Sequence, residues 1–355
     1  MDSIKANDSI IHFNENCYIG INKHLENKNF SKIFILVDEN THQYCLSQFL
    51  EKLHTTVSIE IIEIESGEEN KNIDTCMGVW NTLSELDADR KSLLINIGGG
   101  VITDLGGFVA CTFKRGIAYI NVPTTLLSMV DASVGGKTGV DLGSLKNQIG
   151  VISNPDLVLI DTKFLNTLPK NQMQSGLAEM LKHGLITGEK YWGKFKDLSE
   201  LSLEDLDGLI YDSVVIKKNV VEADPFEDGL RKTLNFGHTL GHAIESYFLS
   251  KAEKTSLLHG EAIVIGMILA CYISSELTEF PKELSNEIKE LLTSYYGKVE
   301  IHQNDYAPII DLLKYDKKNN HGNINFVLLE AIGRCKIDCI VPEKTILDAF
   351  KYYSE

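Results

Sequence analysis

The chain has 355 residues, of which 43% are hydrophobic and 24% charged, and its 50 acidic against 34 basic side chains give a formal net charge of −16. This composition is typical of an ordinary globular protein that is long enough for two domains and a sizeable core. So large an acidic excess is unfavourable for binding nucleic acid or an anionic membrane, and an anionic ligand would need a local cluster of Lys and Arg.

Cysteine usage and the N-terminus indicate a cytoplasmic protein. The seven cysteines are scattered and include no C-x-x-C pair, a pattern typical of reduced, mostly buried thiols. Residues 1–16 are polar and mixed in charge, unlike a signal or transit peptide. No apolar run approaches the roughly 20 residues that a membrane span needs, so we expect no membrane segment.

The first half of the chain alternates short β-branched runs with helical stretches. Strands are predicted over residues 33–37, 57–64, 93–97, 118–122 and 157–160, and the amphipathic stretch 75–86 predicts a helix between two of them. Alternation of strand and helix favours a mainly parallel sheet with helices packed on it.

Helical periodicity dominates from about residue 171. Helices are predicted over residues 173–185, 203–222, 233–249, 261–275 and 281–295, with one β-like piece at 325–329. The segment 161–169 is the predicted boundary. It divides the chain into an α/β domain, residues 1–168, and a mostly helical domain, residues 169–355.

A glycine-rich turn follows one of the buried strands. Gly98, Gly99 and Gly100 lie between the strand at 93–97 and a helix, and such a turn can cradle a pyrophosphate because the backbone approaches closely and the helix offers free N–H groups. The signal is weak, because the G-x-G-x-x-G spacing is absent. Asp38, with Asn40 two residues on, closes another strand and could bind ribose hydroxyls or merely cap the next helix.

Three histidines suggest a metal site. His238 and His242 are four residues apart and so lie on one face of a helix, and His259 could return to that face from the next element. Catalytic zinc often takes two His and a carboxylate and keeps one position open. The alternative is a pair of half-buried polar side chains, which is the commoner reason for two His at this spacing.

These features, taken with other motifs in the same order, resemble the 3-dehydroquinate synthase family of sugar-phosphate cyclases. The motifs that carry the resemblance are Ser66-Gly67-Glu68-Glu69-Asn70-Lys71, residues 98–104, Phe113-Lys114-Arg115-Gly116, Val122-Pro123-Thr124-Thr125, residues 131–138, Lys146-Asn147, residues 176–182, residues 231–245, Leu258-His259-Gly260-Glu261 and Asp316-Lys317-Lys318. So many motifs in one order are highly specific, and they cover most of the chain.

The resemblance implies an α/β fold in which an N-terminal Rossmann-like dinucleotide-binding domain is followed by a C-terminal, mostly α-helical metal-binding domain, with the site in the cleft between them. It also implies NAD, a divalent metal that is usually zinc or cobalt, and a homodimer. By motif match, the residues that would bind NAD are Asp38, Asn40, Glu68, Lys71, Gly100, Val101, Ile102, Thr103, Asp104, Thr124, Thr125, Lys137, Lys146, Phe164, Leu165, Asn166 and Thr167. The implied metal ligands are Glu179, His238 and His259.

The implied reaction converts 3-deoxy-D-arabino-heptulosonate 7-phosphate to 3-dehydroquinate and phosphate, in the shikimate pathway. It proceeds by transient NAD oxidation, phosphate elimination, reduction, ring opening and aldol closure. The residues that would face this substrate are Asp131, Lys137, Asn147, Lys182, Lys217, Arg231, Asn235, His242 and Lys317, one lysine of the Asp-Lys-Lys motif. Arg115 would reach the site of the neighbouring subunit.

The chain departs from the family pattern at two places. His259 lies farther from His242 than in many relatives, with extra residues around 250–254 that we expect to form a surface loop, and Thr103 replaces a glycine common in the turn. Three other interpretations stay open: a sister cyclase acting on a substrate without a carboxylate, an NAD- and metal-dependent alcohol or glycerol dehydrogenase, and a non-catalytic homologue.

Overall fold

The structure is a computed structural model, and it describes residues 1–143, 145–196, 198, 202–251, 253–313 and 324–355. These residues form two compact units, Met1–Met173 and Gln174–Glu355.

The first unit is built on a seven-stranded sheet. Its strands, and those of a separate hairpin, are β1 (Ile4–Ala6), β2 (Ser9–Phe13), β3 (Ile33–Asp38), β4 (Ile59–Ile64), β5 (Leu93–Gly98), β6 (Ala118–Pro123), β7 (Lys137–Leu142), β8 (Leu145–Ile152) and β9 (Leu157–Ile160). The order across the sheet is β1-β2-β9-β6-β5-β3-β4, while β7 and β8 form a separate two-stranded sheet. All pairs in the large sheet are parallel except β1 with β2, so the mainly parallel sheet expected from the sequence is confirmed.

Helices cover this sheet and its central strands are buried. The helices of this unit are α1 (Glu15–Asn27), α2 (Glu39–Thr41), α3 (Ser47–Leu50), α4 (Ile73–Glu85) and α5 (Gly100–Thr112). Every residue of β5 is buried, which explains why this strand is a continuous apolar run without alternation. Because β3, β5 and β6 run parallel, Asp38, Gly98 and Pro123 end at the same edge of the sheet, the edge where such sheets bind ligands.

The second unit is mostly helical. Its elements are α6 (Lys170–Thr187), which begins before the boundary between the units, α7 (Glu189–Trp192), α8 (Leu203–Ala223), α9 (His238–Leu249), α10 (His259–Leu277), α11 (Lys282–Tyr296), α12 (Gln303–Leu312), the antiparallel pair β10 (Asn325–Ala331) and β11 (Arg334–Ile340), and α13 (Glu343–Ser354). Helix α10 is the central one and packs against α9, α11 and α13.

Helix α10 is long and apolar enough to pass for a membrane span by length and composition alone. However, 72% of its most apolar window is buried inside the protein. A helix that is hydrophobic on all sides is what the core of a large domain requires.

The helix predicted from residue 233 begins later than expected. Gly237 has φ +76, in the left-handed region, and α9 starts only at His238. The preceding Leu230–Asn235 forms a 3₁₀ turn. A left-handed residue cannot continue a helix, so the helical sequence period upstream of Gly237 overstates the length of α9.

The extra residues near 250–254 are tied to the body of the unit. Lys254 Nζ lies 2.9 Å from Asp305 Oδ2 and 4.8 Å from the ring centroid of Phe248. Asp305 also accepts the hydroxyl of Tyr247 at 2.7 Å and the backbone N–H of His302 at 2.9 Å, which caps α12. Lys254 therefore anchors the described part of this segment to α12.

Candidate metal centre and nucleotide turn

The metal-site motifs lie on three helices whose backbones touch. A Cβ on Gly260 of α10 would lie 2.7 Å from the carbonyl carbon of Ser175 on α6, and the N–H of Gly260 donates to the Ser175 hydroxyl at 2.9 Å. A Cβ on Gly266 of α10 would overlap the carbonyl oxygen of Gly237 and lie 2.9 Å from the nitrogen of Gly241, at the start of α9. Glycine is needed at these points because no side chain fits between the helices.

This close packing brings the predicted ligands together. Glu179, on α6, is fully buried, and its Oε1 lies 3.4 Å from Nε2 of His238 and 3.3 Å from Nε2 of His259. His242 lies beside them, with its ring centroid 5.1 Å from that of His238 and 5.7 Å from that of His259. One nitrogen of each of the three rings falls within 4.8 Å of the others, a spacing that suits donors around a single ion.

The orientation of two of these rings favours metal binding. Nδ1 of His238 lies 3.1 Å from the carbonyl oxygen of Phe236, and Nδ1 of His259 lies 3.4 Å from Oε2 of Glu245. A neutral imidazole that donates its Nδ1–H to such an acceptor presents the Nε2 lone pair on its other side. Both Nε2 atoms then face Oε1 of Glu179, so the donor set fits a divalent ion with two His and one carboxylate.

Charge around Glu179 is balanced by Lys182. Burial would raise the pKa of Glu179, but the charges of Lys182 and His238 outweigh it and hold the pKa well below its usual range. Lys182 is itself buried and donates to Oε2 of Glu179, which leaves Oε1 to the histidines. Burial lowers the pKa of His259, but hydrogen bonds to Glu179 and Glu245 raise it to about 10, so a bound metal would have to displace a proton there.

Three cations predicted to face the substrate are buried in this unit. Lys182, Lys217 and Arg231 are 1%, 6% and 2% exposed, which is uncommon for such side chains unless they are paired. Arg231 donates from Nη1 to the carbonyl oxygen of Pro225 at 2.8 Å. The predicted Asn235 donates to Glu227 Oε1 at 2.5 Å.

The glycine-rich turn has the expected form. Gly99 is the N-cap of α5, and a Cβ on it would lie 3.1 Å from Cγ2 of Thr125. The N–H of Thr124 donates to the carbonyl of Gly98 at 3.0 Å, so Thr124 and Thr125 adjoin the turn. Thr103, the residue that replaces a glycine, is buried and donates from its hydroxyl to the carbonyl of Gly99 at 3.2 Å.

Asp38 caps a helix, which is the alternative to a ribose contact that the sequence left open. Its carboxylate caps α2 by accepting the N–H of Thr41 at 2.7 Å and the Thr41 hydroxyl at 3.0 Å. Burial raises the pKa of Asp38, and the hydrogen bonds from Thr41 oppose that change. Asn40 follows on α2 and is exposed. A ribose contact at Asp38 stays a prediction.

A buried lysine joins several predicted cofactor residues. Lys71 is 4% exposed, and its Nζ donates to Asp104 Oδ2 and to Asn147 Oδ1, both at 2.7 Å. Burial lowers the pKa of Lys71, but the carboxylates of Asp104 and Glu68 outweigh it and raise the pKa. Lys146 Nζ lies 3.1 Å from Glu68 Oε1. These motifs, distant in sequence, therefore form one polar network within the first unit.

The other predicted residues lie in the first unit or outside the described residues. In the first unit, Val101 and Asp131 are half-buried, Ile102, Phe164 and Leu165 are buried, and Lys137, Asn166 and Thr167 are exposed. Lys317 lies outside the described residues, with the rest of its motif.

Arg115 occupies a strained position. It has φ +70 and follows Lys114 at φ +47, and left-handed backbone at such residues is often associated with function. Arg115 lines a cleft of 410 Å³ together with Ser153, Asn154 and Asp156.

Sequence reasoning did not single out Glu245, Asp224 or Glu227. Glu245 could have been found, because it lies seven residues after His238 and three after His242, on the same face of α9. The contacts of Asp224 and Glu227 depend on the loop conformation before Arg231, for which the sequence carries no periodic signal.

Comparisons with known proteins agree with the motifs. The sequence profile of the 3-dehydroquinate synthase N-terminal domain matches residues 61–175, and that of the C-terminal domain matches residues 176–319. A 3-dehydroquinate synthase of Parabacteroides distasonis is 41% identical over 333 residues, 93% of this chain and 94% of the relative.

Solved structures share the fold. A 2-deoxy-scyllo-inosose synthase complexed with carbaglucose-6-phosphate, NAD⁺ and Co²⁺ superposes with a TM-score of 0.84 at 25% identity and 99% coverage of both chains. An NADH-dependent butanol dehydrogenase of Thermotoga maritima reaches a TM-score of 0.67 at 14% identity, covering 100% of this chain and 99% of its own, which shows a common fold alone. The resemblance seen in the motifs is thus confirmed, and the chain belongs to the 3-dehydroquinate synthase family.

Proposed function

We propose that the chain is a 3-dehydroquinate synthase that converts 3-deoxy-D-arabino-heptulosonate 7-phosphate to 3-dehydroquinate and phosphate, as a phosphorus–oxygen lyase. The observation that carries the proposal is the joint presence, in a family member, of the Glu179–His238–His259 donor set and of buried cations suited to an anionic substrate. The chain would need NAD and a divalent metal, zinc or cobalt.

Each unit offers residues for one of these groups. NAD would lie on the turn at Gly100 and Asp104, and Glu179, His238 and His259 would hold the metal. When bound, NAD supplies hydride transfer in both directions and the metal supplies Lewis acidity, so the overall reaction is redox-neutral.

The cations would bind and orient the substrate. Arg231 can hold a carboxylate with two parallel hydrogen bonds, whereas Lys182 and Lys217 supply point charges for carboxylate or phosphate oxygens. By family match Lys137 joins them. As the C–O bond to phosphate breaks, its electron pair leaves with the phosphate, and a fixed lysine favours that developing charge.

His242 is proposed to handle a proton rather than the metal. Its ring lies 5.1 Å from that of His238 between centroids, near the reacting part of the substrate if the metal is bound there. An imidazole at such a place can accept a proton from a hydroxyl and return it. Asn235, fixed by Glu227, would orient a substrate hydroxyl.

Two rival functions make different predictions. A sister cyclase would act on a sugar phosphate without a carboxylate, and Arg231 would then have no substrate carboxylate to bind. A dehydrogenase of related fold would not need buried cations for both a phosphate and a carboxylate. Both rivals are therefore less favoured by the buried side chains of the second unit.

We further propose that the enzyme is a cytoplasmic homodimer in which Arg115 reaches the site of the partner subunit. The strained backbone at Arg115 supports a dedicated role for it. Apolar side chains of the β7–β8 hairpin also support a covered surface, since Leu142 is 54% and Ile152 is 55% exposed. Sedimentation should give a dimer, and Arg115→Ala should leave the dimer intact while lowering turnover.

The cofactor proposal has a direct test. A carboxylate at Asp38 would repel the 2′-phosphate of NADP, so NAD⁺ should activate the enzyme and NADP⁺ should not. Asp38→Asn is the matched variant, because an asparagine also caps a helix. Equal activation of the unaltered protein by the two nucleotides would contradict the assignment of Asp38.

A further inference from the structure

The loop before Arg231 is organised around one carboxylate. Oδ1 of Asp224 accepts the backbone N–H of Asp228 at 3.0 Å, and Oδ2 accepts those of Gly229 at 2.7 Å and Arg231 at 2.9 Å. These hydrogen bonds lower the pKa of Asp224 against the opposing effect of desolvation. One side chain therefore holds three successive parts of the loop, the last of them the backbone of Arg231.

The loop that Asp224 holds has an unfavourable backbone conformation. Glu227 has φ +65, a left-handed conformation that costs free energy at a residue other than glycine. The side chain of Arg231 folds back over the same loop and donates from Nη1 to the carbonyl of Pro225 at 2.8 Å. The direction of the guanidinium thus depends on the conformation of residues 224–230.

We propose that Asp224 is a positioning residue that fixes the guanidinium of Arg231 for the substrate carboxylate by holding the loop 224–231. This inference rests on the proposed function, because it concerns how the substrate cation Arg231 is aimed. Asp224 does not touch the substrate. Its effect passes through the backbone of Arg231.

Loss of the carboxylate should release the loop without unfolding the unit. Asp224 is only half-buried, so water can reach the freed N–H groups, and the backbone at Glu227 can relax. A displacement of about 1 Å at a group that orients a substrate can cost roughly a hundredfold in rate. We expect Asp224→Ala to lower kcat/KM for the seven-carbon acid phosphate by roughly tenfold to a hundredfold.

The test is a double-mutant cycle with Arg231. Asp224→Ala should reduce kcat/KM by at least about tenfold in the unaltered protein but by less than about threefold when Arg231→Ala is already present, since coupled residues are not additive. Asp228→Ala is the matched control, because Asp228 is exposed and donates to Asp224 through its backbone. Metal content and NAD affinity should stay unchanged in Asp224→Ala.

The outcomes separate this inference from the proposed function. If the unaltered protein does not release phosphate from the acid phosphate, the proposed function fails first. If the unaltered protein is active and the losses in kcat/KM from the two substitutions multiply in the double variant, Asp224 does not act through Arg231 and the inference is overturned. Should Asp224→Ala fail to fold, Asp224→Asn, which keeps one acceptor oxygen, takes its place in the cycle with a smaller expected loss and the same required lack of additivity.

Discussion

Gly266 offers a sharp test of how the metal centre is built. A methyl group there, in Gly266→Ala, would overlap the carbonyl oxygen of Gly237 and lie 2.9 Å from the nitrogen of Gly241, whereas ordinary van der Waals contact begins at 3.4 Å. Both obstacles are backbone atoms, so no side-chain rotation can relieve them. Helix α10 would have to move away from α9.

The size of the effect follows from that displacement. Relief of the Gly241 contact alone needs about 0.5 Å, and the overlap with Gly237 needs more. Overpacking of this kind typically costs about 1–3 kcal/mol of stability. Because a metal site tolerates only about 0.5 Å of error in its ligands, separation of His238 on α9 from His259 on α10 should weaken metal binding by roughly 10- to 100-fold.

The assay is competition with a chelator for Zn²⁺ or Co²⁺, run beside denaturant unfolding of the metal-free protein. Gly208→Ala is the matched control, because a Cβ at Gly208 in α8 meets nothing within 4 Å, and alanine there should be neutral or stabilise by up to about 1 kcal/mol. A folded Gly266→Ala protein with unchanged metal affinity would refute the argument that this contact sets the spacing of the ligands.

Four further substitutions test individual side chains. Glu179→Gln should lose both the metal and activity, whereas His242→Asn should keep the metal while turnover falls. Chelator competition measures the metal affinity of the two variants. Loss of the metal in His242→Asn but not in Glu179→Gln would contradict the ligand assignment. Arg231→Ala should lower turnover of the acid phosphate by about tenfold to several hundredfold with NAD affinity nearly unchanged, as steady-state kinetics and nucleotide titration would measure. Asp305→Asn should destabilise the protein by about 1 kcal/mol at neutral pH, because the uncharged amide weakens the charge-assisted hydrogen bonds from Lys254 and Tyr247. Burial raises the pKa of Asp305, but the hydrogen bonds from Lys254 and Tyr247 outweigh burial and hold the pKa below its ordinary value. The stabilisation of the fold by the Asp305 carboxylate is therefore present above about pH 4 and is lost as the pH falls through the lowered pKa. Denaturant unfolding of Asp305→Asn and unaltered protein from pH 7 to pH 3 would show the gap closing, and a gap independent of pH would contradict the assignment.

Sequence patterns predicted the buried strands of the first unit well. The strand at Leu93–Gly98 is a continuous apolar run because both of its faces are covered. Such a run can be recognised in the sequence without knowing which elements cover the strand. The hairpin β7–β8 was not predicted. It contains exposed polar residues such as Lys137 and Asn147, so its sequence lacks the alternation that predicts a strand. Its two strands pair with each other in an antiparallel arrangement.

The candidate metal ligands could be selected from sequence, but what fixes their geometry could not. Two histidines four residues apart share a helix face whatever the fold. The approach of Gly266 to Gly237, by contrast, joins two helices, and a glycine in sequence does not reveal which backbone lies against it. The same holds for Lys71, whose contacts with Asp104 and Asn147 join residues 33 and 76 positions away.

The most direct measurement is a coupled assay on 3-deoxy-D-arabino-heptulosonate 7-phosphate with the protein, NAD⁺ and Zn²⁺ or Co²⁺. The proposed function predicts release of one phosphate per substrate and formation of 3-dehydroquinate, with no accumulation of NADH because the hydride is returned. It also predicts little turnover of a seven-carbon sugar phosphate that lacks the carboxylate. Accumulation of NADH in step with product, or equal turnover of the substrate without the carboxylate, would contradict it.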